Sequence, residues 1–178
     1  MPEHHPRSRI VDVHQPVEQS VGGGLTIRSM AGLASLDGLE NLEAVGGDFA
    51  LATGNFLTIE PMNLETVGGR FVVSNLDDVL SLAGLQDLTE VGTLEVGVLL
   101  ALTDLDALAN LTTVNGLVEV NCNDSLTSVA GLGNLRFVGG DLEITDNPSL
   151  STADAEALVD AIGRENIYGE VIIERNGP

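Results

Sequence analysis

The chain has no lysine and no tryptophan, a single cysteine, and only 3% aromatic residues. Its 7 basic residues are all arginines, and they stand against 27 acidic residues, which gives a net charge of −20. A surface of that sign repels nucleic acid and anionic lipid, so neither is an expected partner. One cysteine excludes an intrachain disulfide. No apolar run is long enough to span a bilayer, so membrane insertion is not expected.

The first residues show no sign of export. Nothing like the apolar core of a secretory signal peptide follows Met1. The sequence therefore predicts a cytoplasmic protein, or a cell-surface protein if an export signal precedes the printed sequence. Residues 1–16 contain three of the 6 prolines and all 3 histidines, and we expect them to form a flexible tail. The histidines, His4, His5 and His14, lack the spacing of zinc ligands.

The glycines mark an internal repeat. A valine followed by one or two glycines, or by Asn-Gly, returns every 22–24 residues, at Val21, Val45, Val67, Val91, Val114 and Val138. Two apolar residues follow each valine after four and six positions, except in the fourth repeat, which has lost one residue and uses Leu94 and Val96. This alternation is typical of a β-strand with one buried face. We therefore expect the valines to form one buried column in stacked coils.

Units of this length cannot bury their own apolar face, so each must stack on its neighbours. The sequence predicts a mostly β fold, a three-faced parallel β-solenoid resembling a leucine-rich repeat, with about six coils of 22–24 residues. Residues 17–178 would form this single domain. Before each valine from Val45 onward an Asn or Asp precedes a leucine, and we expect this column to hydrogen-bond turn backbone. Its members are Asn41, Asn63, Asp87, Asn110 and Asn134.

The last repeat is interrupted by a helical pattern. Ser151 is a predicted helix N-cap, and Ala155, Leu158, Val159 and Ile162 fall on one helical face. Gly163 ends the pattern. The sequence therefore predicts a helix over about residues 152–163. A helix there would cap the open end of the last coil, as a solenoid requires in order to stay soluble.

The repeat resembles that of receptor L domains, the leucine-rich, right-handed β-helical modules of insulin- and epidermal-growth-factor-type receptors. The motif Leu-x-x-Val-x-Gly-x-Leu-x-Ile-x-x-Asn-x-x-Leu is clearest over residues 135–150 and recurs from about Val21. The helix and the Asn-Ile-Tyr-Gly that follows look like the C-terminal cap of bacterial members. The resemblance implies a right-handed solenoid that acts as a non-catalytic binding or adhesion module toward a protein or a glycan. It carries over no ligand-binding residues.

The residue between the two core positions of each strand points outward. Along the stack these residues are Thr26, Ala50, Val72, Glu95, Glu119, Glu143 and Ile172. We take Glu95, Glu119 and Glu143, with the adjoining Ala50 and Val72, as the candidate binding surface. Carboxylates in successive coils would attract a basic partner or calcium, or would form an ordinary solvated face. No cofactor and no other metal is expected.

Enzyme activity is not expected. β-Helical lyases and hydrolases cluster carboxylates with Arg, Lys or His on one coil face, whereas the histidines here lie outside the repeats. The sequence contains no nucleophile motif and no phosphate-binding loop. Cys122 has no histidine near it in sequence, so we interpret it as a turn residue or a partly buried thiol and not as a nucleophile. A structural subunit that self-assembles is the main alternative. A glycan-cleaving β-helix enzyme is less favoured, and the oligomeric state is left open.

Overall fold

The structure is a computed structural model that describes residues 19–28, 36–52, 59–60 and 62–178. These residues form a mostly β fold, a parallel β-solenoid of about five turns with one α-helix. The predicted solenoid class is confirmed at that level, with about five turns where the sequence suggested about six. The predicted flexible tail, residues 1–16 with the three histidines, lies outside the described residues.

Two ladders of parallel strands run along the stack. The valine ladder consists of β1 (Ser20–Val21), β3 (Ala44–Val45), the start of β5 (Thr66–Ser74), the start of β6 (Glu90–Gly97), β7 (Thr113–Val114) and β9 (Phe137–Val138). The main strand ladder consists of β2 (Leu25–Arg28), β4 (Phe49–Ala52), the ends of β5 and β6, β8 (Val118–Asn121), β10 (Leu142–Thr145) and β11 (Val171–Glu174). In the middle coils the two segments therefore merge into single strands.

The anchor valines form the predicted column. Val21 pairs in parallel with Val45, and the same register continues through Val67, Val91, Val114 and Val138. All of them except Val21, which is half-buried, belong to the core. The register between β5 and β6 shifts beyond the valine pair, so that Phe71 faces Leu94. That shift absorbs the residue missing from the fourth repeat, as the sequence predicts.

Glycine follows several of these valines because successive coils approach closely there. A Cβ on Gly139 would lie 2.1 Å from the Asn115 carbonyl oxygen, and one on Gly68 would lie 2.5 Å from the Gly46 oxygen. No side chain fits at either position without a shift of the backbone. A Cβ on Gly22, at the first coil of the described stack, would meet nothing within 4 Å.

Aliphatic side chains in rows fill the interior. From β2 to β10 the inward residues of the main strand ladder are all buried, and they are Leu25, Ile27, Phe49, Leu51, Phe71, Val73, Leu94, Val96, Val118, Val120, Leu142 and Ile144. In β11, at the end of the stack, Val171 and Ile173 are partly buried. Phe49 and Phe71 stack with ring centroids 5.2 Å apart and planes 8° apart. Each fully buried side chain of this size contributes about 1.5–3 kcal/mol. The core, more than any single polar contact, therefore holds the coils together.

The polar column that precedes the valines hydrogen-bonds turn backbone, as expected. At three of its positions the side-chain amide donates to a turn carbonyl of the preceding coil at 2.6–2.8 Å, the pairs being Asn63 with Glu40, Asn110 with Gln86, and Asn134 with Ala109. These carbonyls lie outside both ladders and would otherwise lack a partner within the sheet. The structural interpretation of this column is confirmed for those three residues.

A second row of asparagines, which was not predicted from the sequence, lies inside the solenoid. Asn123 and Asn147 are fully buried, and with Asn176 they form what we call the inner amide ladder. Asn147 accepts a hydrogen bond from the Asn123 backbone N–H at 3.1 Å and donates to the Val120 carbonyl at 3.0 Å. Asn123 and Asn176 make equivalent contacts. In the coil before Asn123, Leu99 takes the same position.

The residue that follows each main strand from β5 onward, one position before the row just described, has a left-handed backbone. Its φ angle is 54–58° at Asn75, Val98, Cys122, Asp146 and Arg175. Five residues of different types share the conformation, so it is imposed by the turn that follows each main strand and not by the residue type. Asn and Asp tolerate it, whereas a β-branched residue such as Val98 is strained by about 1–2 kcal/mol.

One α-helix, α1 (Thr152–Ile162), follows β10 and lies where the sequence predicts it, one residue shorter. The Ser151 hydroxyl caps the helix by accepting from the Asp154 backbone N–H at 3.0 Å, and Gly163 ends it with a φ of 85°. The helix packs on the 3₁₀ turn Ala130–Leu132 and on β11. The 3₁₀ turns in the described chain are Asp106–Leu108, Ala130–Leu132 and Arg164–Asn166.

Candidate binding surface

The outward residues of the main strand ladder lie in one column. Parallel register pairs each of them with its equivalent in the next coil, in the order Thr26, Ala50, Val72, Glu95, Glu119, Glu143 and Ile172. The strand spacing of about 4.8 Å separates successive members of the column. The structure thus brings the five candidate residues together on one face. Their role in binding stays a prediction.

The exposure and the polarity of this column change along the stack. Ala50 is 7% exposed and belongs to the core, so it offers little surface to a partner. Val72 and Ile172 are half-buried, as are the three glutamates between them. A partner would therefore meet a flat strip with an apolar residue at each end and three carboxylates in the middle.

Glu95 has a cationic partner in Arg70. The Arg70 Nε and Nη2 atoms donate to Glu95 Oε1 and Oε2 at 2.8 and 2.6 Å, a planar two-bond contact. The arginine side chain is 58% exposed and the glutamate 19%, so water screens the pair, which contributes at most about 1 kcal/mol. Nothing in the repeat pattern predicts that Arg70 belongs to this surface. It faces Thr93 in the register of β5 and β6 and reaches Glu95 diagonally.

Glu119 lies between two other carboxylates. Partial burial raises its pKa, and the negative charges of Glu95 and Glu143 raise it further. A hydrogen bond donated by the Asn121 amide to Glu119 Oε1 acts in the opposite direction, as does the charge of Arg70. The ionised form of Glu119 is therefore disfavoured on balance, and a cation placed against it would be stabilising.

A shallow depression of about 110 Å³ opens beside the acidic part of the column. Gly97 leaves room there because it ends β6 without a side chain, and a Cβ on it would lie 2.3 Å from the Asn121 Oδ1 atom. Val72, Glu95 and Glu119 contribute to the walls. The depression is smaller than the roughly 300–1,000 Å³ of small-molecule sites. It suits a single side chain of a larger partner.

The described residues contain no group of three or more His, Cys, Asp or Glu arranged to hold a metal ion. The three glutamates are therefore a row and not a chelating cluster, and we do not propose calcium as their ligand. Cys122 is exposed, and its positive φ places it in a turn. Every buried side-chain nitrogen or oxygen in the described part of the chain has a hydrogen-bond partner.

Comparison with models of protein families, with curated proteins and with solved structures finds no match for this chain. Within residues 19–28, 36–52, 59–60 and 62–178, no helix combines the length and apolarity needed to cross a membrane.

Proposed function

We propose that the protein is a non-catalytic binding or adhesion module that presents its main strand face to a protein or glycan partner. The observation that carries this proposal is the column of Glu95, Glu119 and Glu143 in successive coils, in register across the sheet. A sheet fixes the spacing of the carboxylates before a partner arrives, which lowers the ordering cost of binding. Val72 and Ile172 add apolar contact at the two ends.

A basic protein surface is the partner that the charge of this face favours. A net charge of −20 attracts cationic surfaces and speeds encounter with them. Glu119 is the best acceptor for an incoming Lys or Arg, because Glu95 already pairs with Arg70. A cation against Glu119 would lower its raised pKa toward the ordinary value of 4.5. Binding should therefore strengthen as the pH rises above that value.

The test uses a hexa-arginine peptide and the triple variant E95Q/E119Q/E143Q. Titration calorimetry at low salt should show binding weaker than that of the wild type by roughly tenfold or more, since three close charges are lost. The control variant D87N/E156Q/D160N removes the same charge from exposed positions off the main strand face. Equal weakening in both variants would mean that only the overall charge matters, and would reject this face as the site.

Light scattering on the same samples separates binding from self-assembly. The charge of −20 opposes close packing of copies at low salt, and high salt screens that repulsion. Large assemblies that appear in the wild type as salt is raised would favour the self-assembling structural subunit instead. A constant molecular mass would leave the binding module as the better account.

We also infer that the solenoid is right-handed and of the receptor L-domain type, and that α1 caps its C-terminal end. Crossovers between parallel strands are right-handed in about 98% of cases. Ala155, Leu158 and Ile162 are buried on α1, as a cap requires. Leu158→Asp should therefore lower Tm and promote aggregation. Ala157→Asp, on the exposed side of the helix, is the control, and an unchanged Tm in Leu158→Asp would reject the cap.

A further inference from the structure

Two aromatic rings lie side by side on the surface, near the C-terminal end of the valine ladder. The ring centroids of Phe137 and Tyr168 are 5.1 Å apart, and the rings are inclined at 46°. Tyr168 is 70% exposed and Phe137 is 36% exposed. The other described aromatic side chains, Phe49 and Phe71, are fully buried. We call the exposed pair the aromatic platform, and it contributes little to the core.

The backbone beneath Tyr168 is held from several sides. Its N–H donates to the Val138 carbonyl at 2.9 Å, next to the point where Ile167 pairs with Val138 in the valine ladder. The Arg164 guanidinium donates to the carbonyl oxygens on both sides of the tyrosine, at Ile167 and Gly169. The ring therefore projects from an ordered backbone, so the protein would lose little conformational entropy when a ligand covers the ring.

Hydrogen-bonding side chains continue from the platform along the ladder. Phe137 faces Thr113 in the preceding coil, and Thr113 faces Glu90 in the coil before that. These residues precede the buried valines in their strands, so they point outward. Asn115 is exposed and donates to Glu90 Oε1 at 2.9 Å. Hydroxyl, amide and carboxylate groups thus follow the rings at steps of about 4.8 Å.

We propose that the aromatic platform, with Thr113, Asn115 and Glu90, binds a neutral, extended glycan. The C–H groups on one face of a hexopyranose pack against an aromatic ring, whose face carries partial negative charge. Sugar hydroxyls both donate and accept, so they match amide, hydroxyl and carboxylate groups. An extended β-linked hexose chain advances per sugar by close to the spacing between coils, so that consecutive sugars meet consecutive coils. The charge of −20 disfavours acidic sugars.

A protein partner fits this surface less well. Stable protein interfaces bury about 1,200–2,000 Å² around an apolar centre, whereas this platform has two rings and a polar track. The other large exposed apolar side chains of the described chain are Leu80 and Leu100, and they lie after the main strands, at other positions of the coil. The column of Glu95, Glu119 and Glu143 is on the main strand ladder, so the two proposed sites fail or succeed independently.

Tyr168 reports on its own site, because it is the only tyrosine and the chain has no tryptophan. Titration with cellohexaose should change the tyrosine fluorescence in a saturable way. By calorimetry, Tyr168→Ala and Phe137→Ala should each weaken binding by roughly tenfold, whereas Tyr168→Phe keeps the ring and should stay within roughly threefold. Leu100→Ala, which removes an exposed apolar side chain elsewhere, should bind as the wild type does. Polygalacturonate should bind more weakly than cellohexaose.

Three results would overturn the proposal. The first is the lack of any saturable change with cellohexaose, chitohexaose and mannohexaose. The second is sugar binding that Tyr168→Ala leaves intact, since the rings would then take no part. The third is self-association in sedimentation that the wild type shows and Tyr168→Ala loses, which would assign the platform to a protein interface. Circular dichroism spectra of the variants ensure that folded proteins are compared, and the exposure of both rings leads us to expect unchanged spectra.

Discussion

Removing the negative charge of Glu119 should stabilise the protein. In Glu119→Gln the side chain keeps its shape and still accepts a hydrogen bond from Asn121. The variant loses only a carboxylate charge that lies between Glu95 and Glu143 in register and is partly withdrawn from water. Partial burial and the two neighbouring carboxylates both disfavour the charged form of Glu119, so removing this charge favours folding.

The size of the effect follows from the spacing of the coils. Two unit charges one coil apart repel by about 1 kcal/mol in bulk water, and carboxylates that splay to about 7 Å still repel by about 0.6 kcal/mol. Glu119 has two such neighbours, and Arg70 offsets part of the contribution from Glu95. The gain should be about 1 kcal/mol, a rise in Tm of about 2–4 °C. Glu143→Gln should gain about half as much, because Ile172 follows Glu143 in the column.

The gain should depend on pH with a defined sign. The folded-state pKa of Glu119 lies above its ordinary value of 4.5, so the folded protein holds this proton more tightly than the unfolded chain does. Below the ordinary pKa, Glu119 is protonated and contributes fully to the stability of the wild type. That contribution is lost as the pH rises through the folded-state pKa. Glutamine does not titrate. The advantage of Glu119→Gln should therefore grow as the pH rises from the ordinary pKa of 4.5 through the raised folded-state pKa, and level off once Glu119 is ionised.

Urea unfolding followed by far-ultraviolet circular dichroism gives the free energy of unfolding at each pH. The control is Glu156→Gln, which also loses a carboxylate but from the exposed face of α1. Added salt should reduce the gain in Glu119→Gln, because it screens the two neighbouring charges. A gain that is independent of pH, or an equal gain in the control, would contradict the roles given to burial and to the neighbouring glutamates.

Three further substitutions, with Gly22→Ala as a control, test the packing of the coils. Val98→Asn should raise the free energy of unfolding by about 1 kcal/mol, because asparagine tolerates the φ of 57° that strains a β-branched residue. If thermal unfolding shows no rise in Tm, the backbone at Val98 is not strained. Asn147→Ala should lower the free energy of unfolding by about 2–4 kcal/mol, because the backbone N–H of Asn123 and the carbonyl of Val120 lose their partner, and native-level amide protection in that coil would contradict this. Gly139→Ala should lower it by about 2 kcal/mol or more, given the 2.1 Å approach to the Asn115 oxygen. Gly22→Ala should change it by less than about 0.5 kcal/mol, and urea unfolding that shows equal effects for the two alanines would argue against close packing at Gly139.

Periodicity in the sequence predicted most of the main-chain framework. The valine spacing predicted the buried column from Val45 to Val138, because a parallel stack places equivalent residues in register. The lost residue of the fourth repeat was visible as a shift of the apolar positions to Leu94 and Val96. The outward direction of Glu119 followed from alternation, since a side chain in a strand points to one face or the other.

Contacts that cross between coils were harder to predict. Arg70 lies at a position of β5 that faces Thr93, and nothing in the repeat indicates its pairing with Glu95 one coil further on. Asparagine is expected at exposed turns, so the burial of Asn147 was missed, although the repeat motif itself contains that residue. The contact between the rings of the aromatic platform was missed because α1 separates them in the sequence.

The inner amide ladder also gives the stack a direction of unfolding. Asn123, Asn147 and Asn176 each accept a backbone hydrogen bond from the preceding coil, buried at the first two and partly buried at the third, whereas leucines occupy this position at Leu76 and Leu99. The C-terminal coils are therefore joined by buried amides in addition to the strand ladders and the apolar core. We expect a pulling force or native-state amide exchange to open the N-terminal coils first. During synthesis, the coils that are joined most strongly leave the ribosome last, so the complete stack should form only once they are available.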